Sequence, residues 1–210
     1  MRIPTLHSRA HFLSLASLSA LVTLPISTPA ADASKNLAFQ PALEGKGYGK
    51  TEMSYEDFTR TSSGLYYKDA KGGDGKLTSA KGDRVVIDWS GYTIGYFGRP
   101  FETRQLRSLD KLEDEFLRFE LGKGTVIPAL EEGLTGMSVG GVRQIVVPPQ
   151  LGYPPSDPSH DKVGPKPSTF SGQRALDFVL QNKELIDKTL LFNVKVIRVD
   201  KPGTNGWKMS

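Results

Sequence analysis

Five stretches beyond residue 63 carry the period-two or β-branched patterning of strands. The first is "GLYYKD", Gly64 to Asp69. In "DRVVIDWSGYTI", Asp83 to Ile94, the side chains of Val85, Ile87 and Trp89 alternate with those of Val86, Asp88 and Ser90, so the first three share a face. "YFGRPFE" then turns the chain back through Gly98 and Pro100 and delivers Phe101 and Glu102. After a charged excursion, "DKLEDE", the segment "FLRFELG" alternates Phe116 and Arg118 with Leu117 and Phe119. Its expected strand partners are "GGVRQIVVPP", Gly140 to Pro149, and "TLLFNVKVIRV", Thr189 to Val199. The latter sets Leu191, Asn193 and Lys195 against Leu190, Phe192, Val194 and Val196.

Between these strands "LGKGTVIPALEEGL", Leu121 to Leu134, changes period. Ile127, Leu130, Leu134 and Met137 form one helical stripe, and Pro128 suits a first helical position, where its missing N–H would be unpaired anyway. A short helix laid across the concave side of an antiparallel sheet follows, since neither element buries an apolar face alone. Glu131 and Glu132 point elsewhere. Adjacent helical residues diverge by about 100°, so this pair cannot flank one substrate atom as acid and base. A second helix is expected in "SGQRALDFVLQNKELIDK", with Leu176, Val179 and Leu180 at helical spacing and Ser171 as its cap. The intervening "PPSDPSHDKVGPKPSTF" is a long loop, a class often tied to function.

Composition narrows the chemistry. With 210 residues, 38% hydrophobic and 24% charged, the chain suits one domain with extensions. A net charge of +4 without a run of Lys or Arg argues against nucleic acid as a partner. The absence of cysteine removes thiol nucleophiles, disulfides and thiolate metal sites. Of 3 histidines only His160 lies beyond residue 11, in the proline-rich "SDPSHDKVGPKP", where a solvated loop position is expected. The start of the chain has Arg2 and Arg9, an apolar run from Phe12 to Ile26, and Ala31-Asp32-Ala33 as a processing site. That run is shorter than the ~20 residues of a membrane span, so residues 1–33 read as a cleaved export signal, leaving no stable span after processing. Residues 34–63 are polar and aperiodic, an extended arm.

The ordered phrases "VVIDWSGY", "RPFE", "LGKGTVIPALEEGLTGMSVGG", "IVVPPQLGY" and "TLLFNV" together resemble the FKBP-type peptidyl-prolyl cis-trans isomerases from about Gly64 to Val199. "GPKPSTFSGQRALDFVLQNKELIDKTLLF" is similar to the subgroup of the chloroplast thylakoid lumen of plants and algae, which implies that location; the leader alone fits a secretory or periplasmic destination equally. The resemblance implies an α+β fold: a curled antiparallel β-sheet of about five strands wrapped over one short α-helix, with an extra helix in a long loop before the last strand. It divides the chain into 1–33 targeting segment, 34–63 arm, 64–200 isomerase domain and 201–210 tail. Carried over by position, the pocket falls on Trp89, Phe101, Glu102, Val126, Ile127, Leu130, Tyr153 and Phe192, with a further wall residue at Leu117 or Phe119. The Ile127 N–H and the Tyr153 hydroxyl would hold the carbonyls flanking a substrate proline.

Three positions depart from the family pattern. Leu130 stands where the helix usually supplies Trp, Glu102 where Asp is usual, and the loop after Tyr153 is longer than in minimal members. The implied partners are proline-containing client proteins, photosynthetic-complex subunits among them, with weak macrolide binding; no cofactor or metal is implied. Two functions from different classes fit: an isomerase of X-Pro bonds, and an FKBP-fold binding or assembly factor with weak or no isomerase activity.

Overall fold

The computed structural model describes residues 55–103, 116–182 and 187–204. The expected leader, the greater part of the arm and "DKLEDE" lie outside the described residues. A seven-stranded antiparallel sheet runs through Thr59–Arg60 (β1), Tyr66–Lys71 (β2), Arg84–Thr93 (β3), Arg99–Glu102 (β4), Leu117–Glu120 (β5), Val142–Val147 (β6) and Leu190–Asp200 (β7). The order is β1-β2-β6-β7-β3-β4, with β5 also on β3. The long β3 and β7 form its spine, paired from Arg84 opposite Asp200 to Thr93 opposite Leu190. Val85, Ile87 and Trp89 join the core with Phe192, Val194 and Val196 of β7, as the alternation predicts.

Two expectations about the sheet change. The expected partners of β5 were β6 and β7; instead β5 pairs with β3, Phe119 opposite Val85 and Leu117 opposite Ile87. The reason is backbone accounting: β6 and β7 pair with each other, and their other edges are taken by β2 and β3. β4 covers only Gly91 to Thr93 of the remaining edge of β3, and β5 fills the other half. Among the described residues the sheet also has seven strands rather than about five. β4 reads as a turn in sequence because of Pro100, yet an edge strand tolerates proline. β1 has only two residues, too few for any period. Its pairing with β2 means that the sheet begins before Gly64, the boundary expected between arm and domain. Tyr55 and Phe58 cover Ile94, Val146 and Leu191 on the outer face, with Tyr66 and Tyr92 beside them.

Pro128–Leu134 forms α1, with Pro128 in its first turn and Ile127, Leu130, Leu134 and Met137 all buried, as the stripe requires. Its two carboxylates are not merely solvent-facing. Glu131 accepts the backbone N–H groups of Gly122 and, at 3.0 Å, Gly124, closing the turn before the helix. Glu132 accepts the Ser63 hydroxyl at 2.7 Å and ties the segment before β2 to α1.

The second helix, α2, is Phe170–Gln181. Thr169, not Ser171, caps it: the Thr169 hydroxyl accepts the Gly172 N–H at 3.1 Å, while Ser171 lies already inside the first turn. Ala175, Leu176 and Val179 are buried beneath it, and α2 lies over β4. The approach is so close that a Cβ on Gly172 would stand 2.1 Å from the carbonyl oxygen of Phe101. The Gly164–Pro165 peptide bond in the preceding loop is cis. Among the described residues no helix is long and apolar enough to cross a membrane.

Candidate functional site

Three rings converge where β3, β4 and β7 meet. Trp89 stacks on Phe192 with centroids 5.5 Å apart, and Phe101 stands edge-on to Phe192 at 5.6 Å and tilted to Trp89 at 6.3 Å. The strand geometry explains why. Gly91 lies opposite Phe192, and a Cβ on Gly91 would come within 2.3 Å of the Phe101 ring, so the hollow left by the missing side chain seats that ring. Phe101 itself sits at a bulge, because Glu102 pairs with Gly91 and Pro100 with Tyr92. Leu130 and Ile127 of the α1 region are fully buried in the same core cluster, joined by Val126 and Tyr153. The expected residues are thus brought together. Of the two candidates on β5, Leu117 is one same-face step from Trp89, through Ile87, and Phe119 is two. The wall position nearest the rings is therefore aliphatic.

The polar groups of the site are engaged by the chain itself. The Ile127 N–H donates to the carbonyl of Gly164 at 2.8 Å, and the Gly164 N–H donates in turn to the carbonyl of Thr125 at 2.9 Å. These two bonds make a parallel bridge between Val126 and Gly164. The Tyr153 hydroxyl donates to the carbonyl of Pro165 at 2.6 Å. Burial, reinforced by the nearby Glu102 carboxylate, pushes the Tyr153 phenol well above its ordinary pKa and keeps it a donor. Glu102 accepts the Ser168 N–H at 2.6 Å and the Ser168 hydroxyl at 3.1 Å. Pro165 and Pro167 are buried, and Gln173 of α2 donates to the Pro167 carbonyl at 3.0 Å. Residues 163–168 therefore form a strap held to Thr125, Ile127, Tyr153, Glu102 and Gln173.

What holds the strap's approach is Asp157, which sequence reasoning did not single out. Its carboxylate accepts the N–H groups of Lys162 at 2.8 Å and Val163 at 2.9 Å, and these backbone bonds, that of Val163 foremost, hold its carboxyl below the usual range. The signal was an Asp followed at five and six residues by a bend, a pattern shared by many loops. His160 departs from the expectation of a solvated loop. It is 5% exposed, its ring centroid lies 4.6 Å from that of Tyr153, and its Nε2 meets Asp177 of α2 at 2.9 Å. The loop folds back between α2 and Tyr153, and composition carries no sign of that. Beside the strap an open groove of about 920 Å³ is lined by Val126, Pro128, Gly152, Tyr153, Pro155 and Val163.

Comparison with known proteins bears on this arrangement. The model of the FKBP-type peptidyl-prolyl cis-trans isomerase family matches residues 75–197. The chain is 56% identical over 165 residues to the chloroplastic peptidyl-prolyl cis-trans isomerase FKBP19 of Arabidopsis thaliana, covering 77% of this chain and 63% of that relative. It is 28% identical over 119 residues to the chloroplastic FKBP20-2 of the same plant, covering 57% of this chain and 45% of the relative. A solved structure, FkpA from Escherichia coli, aligns with 80% of this chain and 59% of its own at 23% identity and a TM-score of 0.46. The chain thus spans less than two thirds of the length of either plant relative. The family match takes in β3 to β6, both helices, the strap and most of β7, and the chain belongs to the FKBP-type peptidyl-prolyl cis-trans isomerase family.

Proposed function

We propose that the chain accelerates rotation about X-Pro peptide bonds in client proteins of the chloroplast, the compartment that the names of its plant relatives carry, and within the thylakoid lumen, which the export-like leader permits and the likeness of residues 164–192 to the lumenal subgroup supports. The observation that carries this reading is the ring cluster of Trp89, Phe101 and Phe192 in the same core as Ile127 and Tyr153, whose N–H and hydroxyl meet two successive carbonyls.

The chemistry asks for little else. Resonance sets a barrier of about 18–20 kcal/mol to rotation of a peptide bond, and the X-Pro isomers differ by only about 1 kcal/mol, so the rate alone needs help. A dry aromatic wall favours the twisted, less dipolar amide over the planar one, which water solvates better; the two donors fix the flanking carbonyls while the bond turns. No proton, nucleophile or metal takes part. A speed-up of about 10³ requires about 4 kcal/mol of such differential binding.

A second reading has its own observation. Both donors are already bonded within the chain, which favours an FKBP-fold binding or assembly factor of low isomerase activity. A protease-coupled assay with a chromogenic X-Pro tetrapeptide separates the two. The isomerase reading expects acceleration above buffer that falls at least tenfold in Tyr153→Phe. No acceleration, either by the unchanged chain or after removal of the strap, leaves the binding reading alone.

A further inference from the structure

The strap meets the pocket as a bound peptide would. The segment Val-Gly-Pro-Lys-Pro-Ser at 163–168 makes a parallel backbone bridge with Val126, offers successive carbonyls of Gly164 and Pro165 to Ile127 and Tyr153, and buries Pro165 and Pro167. Pairing of backbone groups with an extended ligand, with pockets for alternate side chains, is how sheets and loops recognise peptides generally. The charged side chain of the segment takes no part: Lys166 is exposed and pairs with Asp161 at 2.6 Å.

The strap's two ends are anchored elsewhere. On one side, the N–H groups of Lys162 and Val163 are held by Asp157. On the other, Thr169 is the cap of α2. The stretch between them touches the site through Thr125, Ile127, Tyr153 and Glu102, and none of those bonds belongs to the ladders of the sheet. Its departure would break the isolated bridge to Val126 and the Gln173–Pro167 bond but no ladder of the sheet and no helix, and it would free the Ile127 N–H and the Tyr153 hydroxyl beside the groove that Val126 and Tyr153 also line.

Resting on the isomerase reading above, we propose that residues 163–168 are an internal ligand of the site, which client prolines must displace. A segment tethered at both ends acts at an effective concentration on the order of 1 mM. If its intrinsic dissociation constant is about 0.1 mM, roughly one molecule in ten has an open site, and apparent client affinity falls by the same factor of about ten.

The test replaces residues 163–168 in the full chain by six alternating Gly and Ser residues and adds the free hexapeptide Val-Gly-Pro-Lys-Pro-Ser. The replaced chain should turn over the X-Pro tetrapeptide with kcat/KM raised about tenfold, and the hexapeptide should inhibit it competitively. The hexapeptide should also shift the Ile127 amide resonance of the replaced chain at about one tenth of the concentration needed for the unchanged chain. A folded replaced chain with unchanged kcat/KM, or equal hexapeptide affinity for both chains, overturns the proposal. If neither chain catalyses but the hexapeptide affinities differ as stated, the internal ligand stands and the isomerase reading falls. Ser168→Ala, which removes only the hydroxyl bond to Glu102, serves if the replacement does not fold. It should raise hexapeptide affinity about threefold, and no change there overturns the proposal equally.

Discussion

Trp89, Phe101, Phe192 and Leu130 hold one another by burial and ring contact, whereas the strap is held by hydrogen bonds to Ile127, Tyr153 and Glu102. The two differ in what their removal costs. A wall side chain deleted from a close-packed core leaves a cavity that the surroundings fill only in part. A strap lifted away exchanges its bonds for water or for another peptide, and the net worth of each such bond is only about 0.5–1.5 kcal/mol. A pocket built this way keeps its shape whether covered or open.

Four experiments press on that contrast. Phe101→Ala should have the largest effect, a loss of about 3–5 kcal/mol in the denaturant midpoint analysis, because the ring is fully buried against Trp89, Phe192 and the Gly91 backbone. Gly91→Ala attacks the same ring from beneath and should cost about 1–3 kcal/mol by overpacking, with a change in Trp89 fluorescence as Phe101 is pushed aside. If Gly91→Ala were neutral, the seating of Phe101 on the glycine would be wrong.

The third experiment uses pH to loosen the strap and leave the wall intact. Because the Asp157 carboxyl is held below its ordinary value of about 4, its anchoring of Lys162 and Val163 is fully present above that pH and is lost as the pH falls through the depressed folded value. Pepsin should therefore begin to cut between residues 157 and 168 below about pH 4, before the near-ultraviolet signal of Trp89 is lost; simultaneous loss would mean that strap and wall unfold as one unit. The smallest effect belongs to the double variant Glu131→Gln and Glu132→Gln. It should lower stability by about 1 kcal/mol or less, since amide oxygens can still accept the N–H groups of Gly122 and Gly124 and the Ser63 hydroxyl, and leave turnover of the tetrapeptide unchanged. Abolished turnover would relocate the chemistry to the carboxylates.

The same contrast explains what could be read in the sequence. Wall and floor were legible because burial imposes periods: Val85, Ile87 and Trp89 along β3, and Ile127, Leu130, Leu134 and Met137 along the helical stripe. The strap was not, because most of its hydrogen bonds are made by its main chain, and "VGPKPS" carries no side-chain pattern that marks an occupied pocket. His160 and Asp157 were missed for a related reason: both belong to a loop that folds back onto Tyr153 and α2, a path that no periodic pattern marks. β5 was assigned the wrong neighbours because alternation fixes the face of a strand but says nothing about which edge is vacant.

On the far side of the sheet, the short β1 and the aromatic pair Tyr55 and Phe58 bear on how the protein can be trimmed for study. A fragment begun at Gly64, where the motifs start, would strip the cover from Ile94, Val146 and Leu191 and leave the backbone of Tyr66 and Tyr67 as a bare edge. Such an edge is a template for joining one molecule to the next. The shortest fragment that keeps this seam closed starts no later than Tyr55.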